Sequence, residues 1–107
     1  TLGIAIGVAL NTTKKIIAII GDGEALMSLG TLVLFNKLHL SNLKLIILDN
    51  NRYSSTGNQE TCSDAVDFSK LCTCTIYKIT DSLSTLKRIP LTPAEIKWRF
   101  KNEFIRL

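Results

Sequence analysis

The sequence predicts an α/β domain with a mainly parallel sheet and helices on both faces. Three observations carry this. Two continuous apolar runs rich in β-branched residues, Ile16–Ile20 and Leu43–Leu48, have the length and composition of buried strands. A long helical segment separates them, and parallel strands need a crossover of that kind. The alternation of strand and helix then continues toward the C-terminus.

The elements follow in order. Leu2–Leu10 is an apolar helix with small residues at 3, 5, 7 and 9. Gly3 and Gly7 share one of its faces, where a second backbone could approach. A membrane dimer motif would need a longer apolar segment. Asn11-Thr12-Thr13 is a turn, and Lys15–Ile20 is the first strand. Glu24 to about Leu40 reads as a helix whose apolar residues, from Leu26 and Met27 to Phe35 and Leu38, go almost all round, the mark of a buried helix. Gly30 in its middle costs about 1 kcal/mol against alanine, so close packing is expected there. Ser41-Asn42 turns the chain into the strand Leu43–Asp49.

Residues 50–62 lack apolar periodicity and form a loop. Ser63 or Asp64 caps a short helix whose buried face is Ala65, Phe68, Leu71 and Cys72. Thr73–Thr80 is a strand, and Asp81–Arg88 is ambiguous. Thr92-Pro93-Ala94-Glu95 is a capping box with proline at the first helical position. The helix it opens carries Ile96, Phe100 and Phe104 as an apolar stripe for docking on the sheet.

Composition narrows the function classes. The chain has 107 residues, 46% hydrophobic and 21% charged, which fits one globular domain, residues 1–107, with no linker or repeat. The net charge of +4 comes from dispersed bases. The mild cluster at Lys97, Arg99, Lys101 and Arg106 reads as a solvated helix face rather than a nucleic-acid surface. No run reaches the roughly 18 apolar residues of a membrane span. Lys14-Lys15 follow the first apolar run instead of preceding it, unlike a signal peptide. Cys62, Cys72 and Cys74 form no Cys-x-x-Cys pair and His39 is distant, so zinc and iron–sulfur sites are not expected. Reduced structural thiols and a cytoplasmic location are.

The chemistry lies at the strand ends. Gly21-Asp22-Gly23 closes the first apolar run, and after 26 intervening residues Asn50-Asn51 closes the second. If the strands are parallel neighbours, Asp22 and Asn51 emerge on the edge where open α/β sheets bind phosphates and metals. A carboxylate, an amide oxygen and a nearby carbonyl are hard ligands suited to Mg²⁺, which keeps few protein ligands and takes phosphate oxygens besides. The glycines let backbone approach an anion, and the N–H groups of Gly23, Glu24 and Ala25 open a helix toward it. Taken singly, each half is also an ordinary turn, with Asp22 a simple N-cap. Their joint occurrence argues against that.

Gly-Asp-Gly, this spacer and Asn-Asn resemble the cofactor signature of thiamine diphosphate-dependent enzymes. The runs Gly21-Asp22-Gly23-Glu24-Ala25-Leu26-Met27-Ser28-Leu29-Gly30 and Leu48-Asp49-Asn50-Asn51-Arg52-Tyr53-Ser54-Ser55-Thr56-Gly57-Asn58-Gln59 are similar to the sulfopyruvate and phosphonopyruvate decarboxylases. The resemblance covers Leu2 to about Leu71 and resumes at Ile89-Pro90-Leu91-Thr92-Pro93. It implies a thiamine diphosphate-binding fold, with cofactor contacts from Gly21, Asp22, Gly23, Glu24, Ala25, Asn51 and Tyr53. It also implies Mg²⁺ held by Asp22, Asn51 and the backbone carbonyl of Tyr53. The implied reaction releases CO₂ and an aldehyde from a 2-oxo acid.

The family's activating glutamate sits on a pyrimidine-binding domain for which this chain has no room. A partner subunit or domain of that kind, and an oligomer, are therefore expected; the catalytic residue itself stays unassigned. The stretch between Cys74 and Ile89 is shorter than the family pattern, so the domain could be truncated. Two alternatives share the architecture: the thiamine-binding subunit of a 2-oxoacid:ferredoxin oxidoreductase, and a catalytically silent interaction module. Glu24 is expected to point away from the diphosphate, Arg52 to be solvated and His39 to lie at the far end of its helix. The roles of Ser54, Ser55, Thr56, Asn58 and Gln59 stay open.

Overall fold

A computed structural model describes residues 1–80 and 90–105. Its elements run α1 (Leu2–Leu10), β1 (Ile16–Gly21), α2 (Asp22–Met27), α3 (Leu29–Leu38), β2 (Leu43–Asp49), a 3₁₀ turn (Ser63–Ala65), α4 (Phe68–Leu71), β3 (Thr75–Lys78) and α5 (Pro93–Ile105). The strands form a parallel sheet in the order β1-β2-β3. The α/β class and the parallel pairing are as the sequence predicts. The ambiguous stretch 81–88 lies outside the described residues.

Side-chain alternation along the strands decides the layering. Ala18 and Ile20 of β1 and Leu43, Leu45 and Ile47 of β2 are buried, and they pack against Leu2, Ala5, Ile6 and Ala9 of α1, Leu32 and Phe35 of α3, and Phe68 of α4. The intervening residues face the other way: Ile17 is 62% exposed and Ile19 55%. Among the described residues, one face of the sheet is thus covered and the other is open. Continuous apolar runs suggest strands covered on both sides; here one half of each run is the core and the other half is surface.

Asn42 ties the start of the sheet together. Its side-chain amide donates to the carbonyls of Ala9 (2.9 Å) and Thr12 (2.8 Å), and its own carbonyl accepts from the Ile16 N–H at 2.7 Å. The exit of α1, the entry to β1 and the entry to β2 therefore converge on one residue. That convergence supports the β1–β2 register, in which Ile16 pairs with Leu43 and Gly21 with Leu48.

Several expectations need correction. The helix expected from Glu24 to Leu40 is broken at Ser28, whose hydroxyl donates back to the Glu24 carbonyl at 2.7 Å, a local bond that competes with helix continuation. The resulting helices are not buried all round: Met27, Val33 and Leu34 are exposed. A Cβ on Gly3, Gly7 or Gly30 would meet open space, so close packing explains none of them here. The cap of the helix after the loop is Asp67, which accepts from the Ser69 N–H, rather than Ser63 or Asp64, and Ala65 is exposed. In α5 the capping box forms, with Glu95 accepting from the Thr92 N–H at 2.7 Å. Yet Ile96 and Phe100 of the expected docking stripe stay largely exposed, and the Phe104 side chain is outside the described set.

The one-sided core gives a stability test. Leu45→Ala, at a residue 1% exposed, is expected to lower unfolding stability by about 2–5 kcal/mol. Ile19→Ser on the open face is expected to change it by less than about 1 kcal/mol. Denaturant titration of both variants checks this; equal losses would mean that the open face is covered.

Candidate functional site

Parallel register assembles the site. With Gly21 beside Leu48, the next residues, Asp22 and Asp49, leave β1 and β2 on the same edge, and Asn51 follows two positions on. Asp22 is the first residue of α2 and is only 1% exposed. Gly21, not Asp22, occupies the N-cap position, so the Asp22 carboxylate is free of capping duty. It accepts a hydrogen bond from the Thr61 hydroxyl. Among the described residues no lysine or arginine pairs with it.

Asn51 sits at φ 56°, a left-handed conformation that asparagine tolerates better than most residues. Two side chains brace it. Asp49 accepts from the Asn51 N–H at 3.1 Å, and Asn50 accepts from the Arg52 N–H at 3.1 Å. Asp49 itself is buried at 2% exposure and is bonded by the Lys78 ammonium from β3 and by the Ser63 hydroxyl at 2.9 Å. Burial, the largest influence, raises the pKa of Asp49. The bonds from Lys78, Ser63 and the Asn51 N–H, with the Lys78 charge, outweigh it and leave the carboxyl below its ordinary range.

The Ser63 hydroxyl also reaches the Asn51 side-chain oxygen at 2.9 Å and lies 3.3 Å from the Thr61 hydroxyl. A chain of polar contacts therefore runs from Asp22 through Thr61 and Ser63 to Asn51 and Asp49. Thr61, Ser63, Asp49 and Lys78 are absent from the site expected from sequence. Thr61 returns the loop to the sheet edge by donating its N–H to the Asn51 carbonyl at 2.9 Å. The sequence hint is slight: two small hydroxyl residues spaced to share a face after the loop.

Tyr53 sits at the mouth of the loop, beside the Gly-Asp-Gly turn. Its carbonyl accepts from the Thr56 N–H (3.0 Å), the Asn58 N–H (3.1 Å) and the Thr56 hydroxyl (3.2 Å), so it staples its own loop. Its ring lies over Gly23, where an added Cβ would run into the ring. Gly23 is thus needed for close approach, and no glycine has a positive φ among the described residues. Gly21, Asp22, Gly23 and Glu24 line a depression of about 330 Å³ with Tyr53, Ser54 and Ser55, whereas Asn51 and Thr61 border a neighbouring one of about 440 Å³. Asn50 and Arg52 border both.

The remaining residues are quickly placed. Ala25 is buried, and Glu24 turns toward the start of α1, where it meets the Thr1 nitrogen. Arg52 donates to the Asn58 carbonyl at 3.2 Å and stands 3.8 Å from Glu60, so it braces the loop more than it is solvated. His39 closes α3 beside Leu40, Leu43 and Thr73, at the opposite edge of the sheet. Burial pushes the Cys72 thiol up to about 12, consistent with an inert core residue.

The donor set fits a hard cation beside an anion. No three His, Cys, Asp or Glu side chains cluster as a metal cage among the described residues. What the edge offers is the buried Asp22 carboxylate, served by a neutral hydroxyl, and the Asn51 amide oxygen, beside an Asp49 carboxylate already paired with Lys78. A buried carboxylate without a cation is costly, and Mg²⁺ accepts so sparse a set when phosphate and water oxygens complete it.

Comparison with known proteins bears on this edge. Residues 1–83 match the family described as "Thiamine pyrophosphate enzyme, C-terminal TPP binding domain". The chain is 46% identical over 69 residues to sulfopyruvate decarboxylase subunit beta of Methanococcus maripaludis, covering 62% of this chain and 37% of that one. It is 48% identical over 58 residues to the subunit of the same name from Methanocaldococcus jannaschii, covering 54% and 31%. It is 37% identical over 83 residues to phosphonopyruvate decarboxylase of Streptomyces hygroscopicus, covering 78% and 21%. The chain thus spans about a third of the first two relatives and about a fifth of the third.

The depressed Asp49 pKa has a pH consequence. A carboxyl whose folded pKa lies below its unfolded value stabilises the fold above the unfolded pKa. That stabilisation is lost as pH falls through the folded pKa. Asp49→Asn is therefore expected to be less stable than wild type at neutral pH, with the gap closing below about pH 4. Thermal melts across pH 7 to 3 check this, and a gap that widens in acid would reverse the sign.

Proposed function

The chain belongs to the thiamine pyrophosphate enzymes, as their C-terminal TPP-binding domain, and from that premise we propose that it supplies the diphosphate side of a 2-oxo acid decarboxylase. One observation carries the reading. Asp22 is a buried carboxylate with no cationic partner among the described residues, and it shares a sheet edge with the Asn51 amide. In this proposal Asp22 and Asn51 would hold Mg²⁺, whose charge would offset that of the cofactor's diphosphate. The Tyr53 carbonyl is a third ligand only in a loop conformation in which Thr56 and Asn58 release it.

Thiamine diphosphate, when bound, supplies the electron sink that lets a 2-oxo acid lose CO₂ and leave as an aldehyde. The chain's own residues position it. Asp22 neutralises the cation, the small Gly23 and Ala25 keep the turn low, and Arg52, at the border of both depressions, adds positive charge near the anion. The relatives named above are decarboxylases of sulfopyruvate and phosphonopyruvate, and an anionic 2-oxo acid of that class is the proposed substrate.

The proposal includes a pyrimidine-binding partner, supported by the name subunit beta that two relatives carry and by the exposed apolar residues of this chain. Met27 is 76% exposed, Val33 54% and Leu34 49%, all on the helices that follow the Gly-Asp-Gly turn. Exposed apolar area of that kind marks interaction sites.

Calorimetric titration with thiamine diphosphate and Mg²⁺ tests the reading. Asp22→Ala is expected to abolish the Mg²⁺-dependent part of binding, while Cys72→Ser and His39→Asn retain it. CO₂ release from sulfopyruvate or phosphonopyruvate is expected only when a pyrimidine-domain subunit is added. Equal affinity of Asp22→Ala and wild type, or robust turnover by the chain as a monomer, would refute it.

A further inference from the structure

Two buried hydroxyls stand between the proposed ligands. Thr61 is 8% exposed and Ser63 2%. Thr61 donates to Oδ2 of Asp22, and Ser63 Oγ lies 2.9 Å from Oδ1 of Asn51 and 2.9 Å from Oδ1 of Asp49. A hydroxyl has one proton, so Ser63 faces two acceptor oxygens with a single donor. Asp49 has other donors, the Lys78 ammonium and the Asn51 N–H. Ser63 is therefore pinned between an anchored carboxylate and the Asn51 side chain. Apart from this contact, that side chain is exposed, on a loop residue with positive φ.

We propose that Thr61 and Ser63 are positioning residues for the cation, holding the Asp22 carboxylate and the Asn51 amide in the orientations that bind it. The inference rests on the cofactor reading above and adds residues to it. The lone-pair count permits the arrangement. A carboxylate offers about four acceptor sites and an amide oxygen two, so one hydroxyl contact to each leaves capacity for a metal. Side chains that orient metal ligands typically change affinity 10–100-fold when removed. The Asp49–Lys78 pair makes the device stiff: it ties Ser63, the Asn51 backbone and the end of β3 to one buried group.

The test uses the purified chain with Mn²⁺ as a paramagnetic stand-in for Mg²⁺, which prefers the same oxygen ligands. Thiamine diphosphate is present at fixed concentration, and bound Mn²⁺ is read by electron paramagnetic resonance. Thr61→Val keeps shape but loses the hydroxyl; Thr61→Ser keeps the hydroxyl; Ser63→Ala loses it. Thr61→Val and Ser63→Ala are expected to bind Mn²⁺ about tenfold or more weakly with an altered bound spectrum, and Thr61→Ser to match the parent. A purely structural role would lower the melting temperature of Thr61→Val and Ser63→Ala while leaving their Mn²⁺ affinity and bound spectrum like the parent's. Should Thr61→Val fail to fold, Ser63→Ala decides alone. Parent-like affinity and spectrum in Ser63→Ala, with binding lost in Asp22→Ala, would overturn this inference and leave the cofactor reading standing. Absence of Mn²⁺ binding by the parent would overturn both.

Discussion

The parallel register of β1 on β2 is the constraint from which the rest follows. Pairing Ile16 with Leu43 and Gly21 with Leu48 puts Ala18, Ile20, Leu45 and Ile47 on one face, where they make the core with α1 and α3. The same pairing ends both strands at one edge, so that residues far apart in sequence, Asp22 and Asn51, become neighbours of one hydroxyl pair. A slip of one residue would turn the core side chains outward and separate Asp22 from Asn51. Asn42 guards the register at the opposite edge by joining α1, β1 and β2 through its amide and carbonyl.

Much of this was legible in the sequence, for identifiable reasons. Uninterrupted β-branched runs report strands, and the glycine turn after the first and the asparagine pair after the second do leave the sheet on the same edge. Thr92-Pro93-Ala94-Glu95 specified its own cap chemically, and the box forms as read. Layering was less legible. An apolar run does not say whether one or both faces are covered, and Ile17, Ile19 and Leu48 lie on a face left open among the described residues. The break at Ser28 was hidden because a serine hydroxyl turning back on a carbonyl looks like any mid-helix serine. Thr61 and Ser63 were missed because their role depends on a loop returning to its origin, and no local pattern encodes that.

Apolar side chains are exposed on several elements among the described residues. Ile4 on α1, Met27 on α2, Val33 and Leu34 on α3 and the open half of β1 all face outward. The edge residues show the complementary trait. Asp22 and Asp49 are carboxylates buried almost completely, one held by a hydroxyl and the other by a lysine. Asp49 has its counter-charge and serves as an anchor. Asp22 lacks one among the described residues, and this asymmetry between adjacent carboxylates separates the proposed ligand from its support.

Paramagnetic broadening in an amide nitrogen–proton spectrum tests the central claim most directly, that Asp22 and Asn51 bound one cation site. Mn²⁺ is added with thiamine diphosphate to the labelled chain. The account predicts selective loss of the resonances of residues 22–23, 51 and 61–63, with those of His39 and Leu43 at the far edge unaffected. Broadening that spares either the Asp22 turn or the Asn51 turn, or that centres elsewhere, would contradict it.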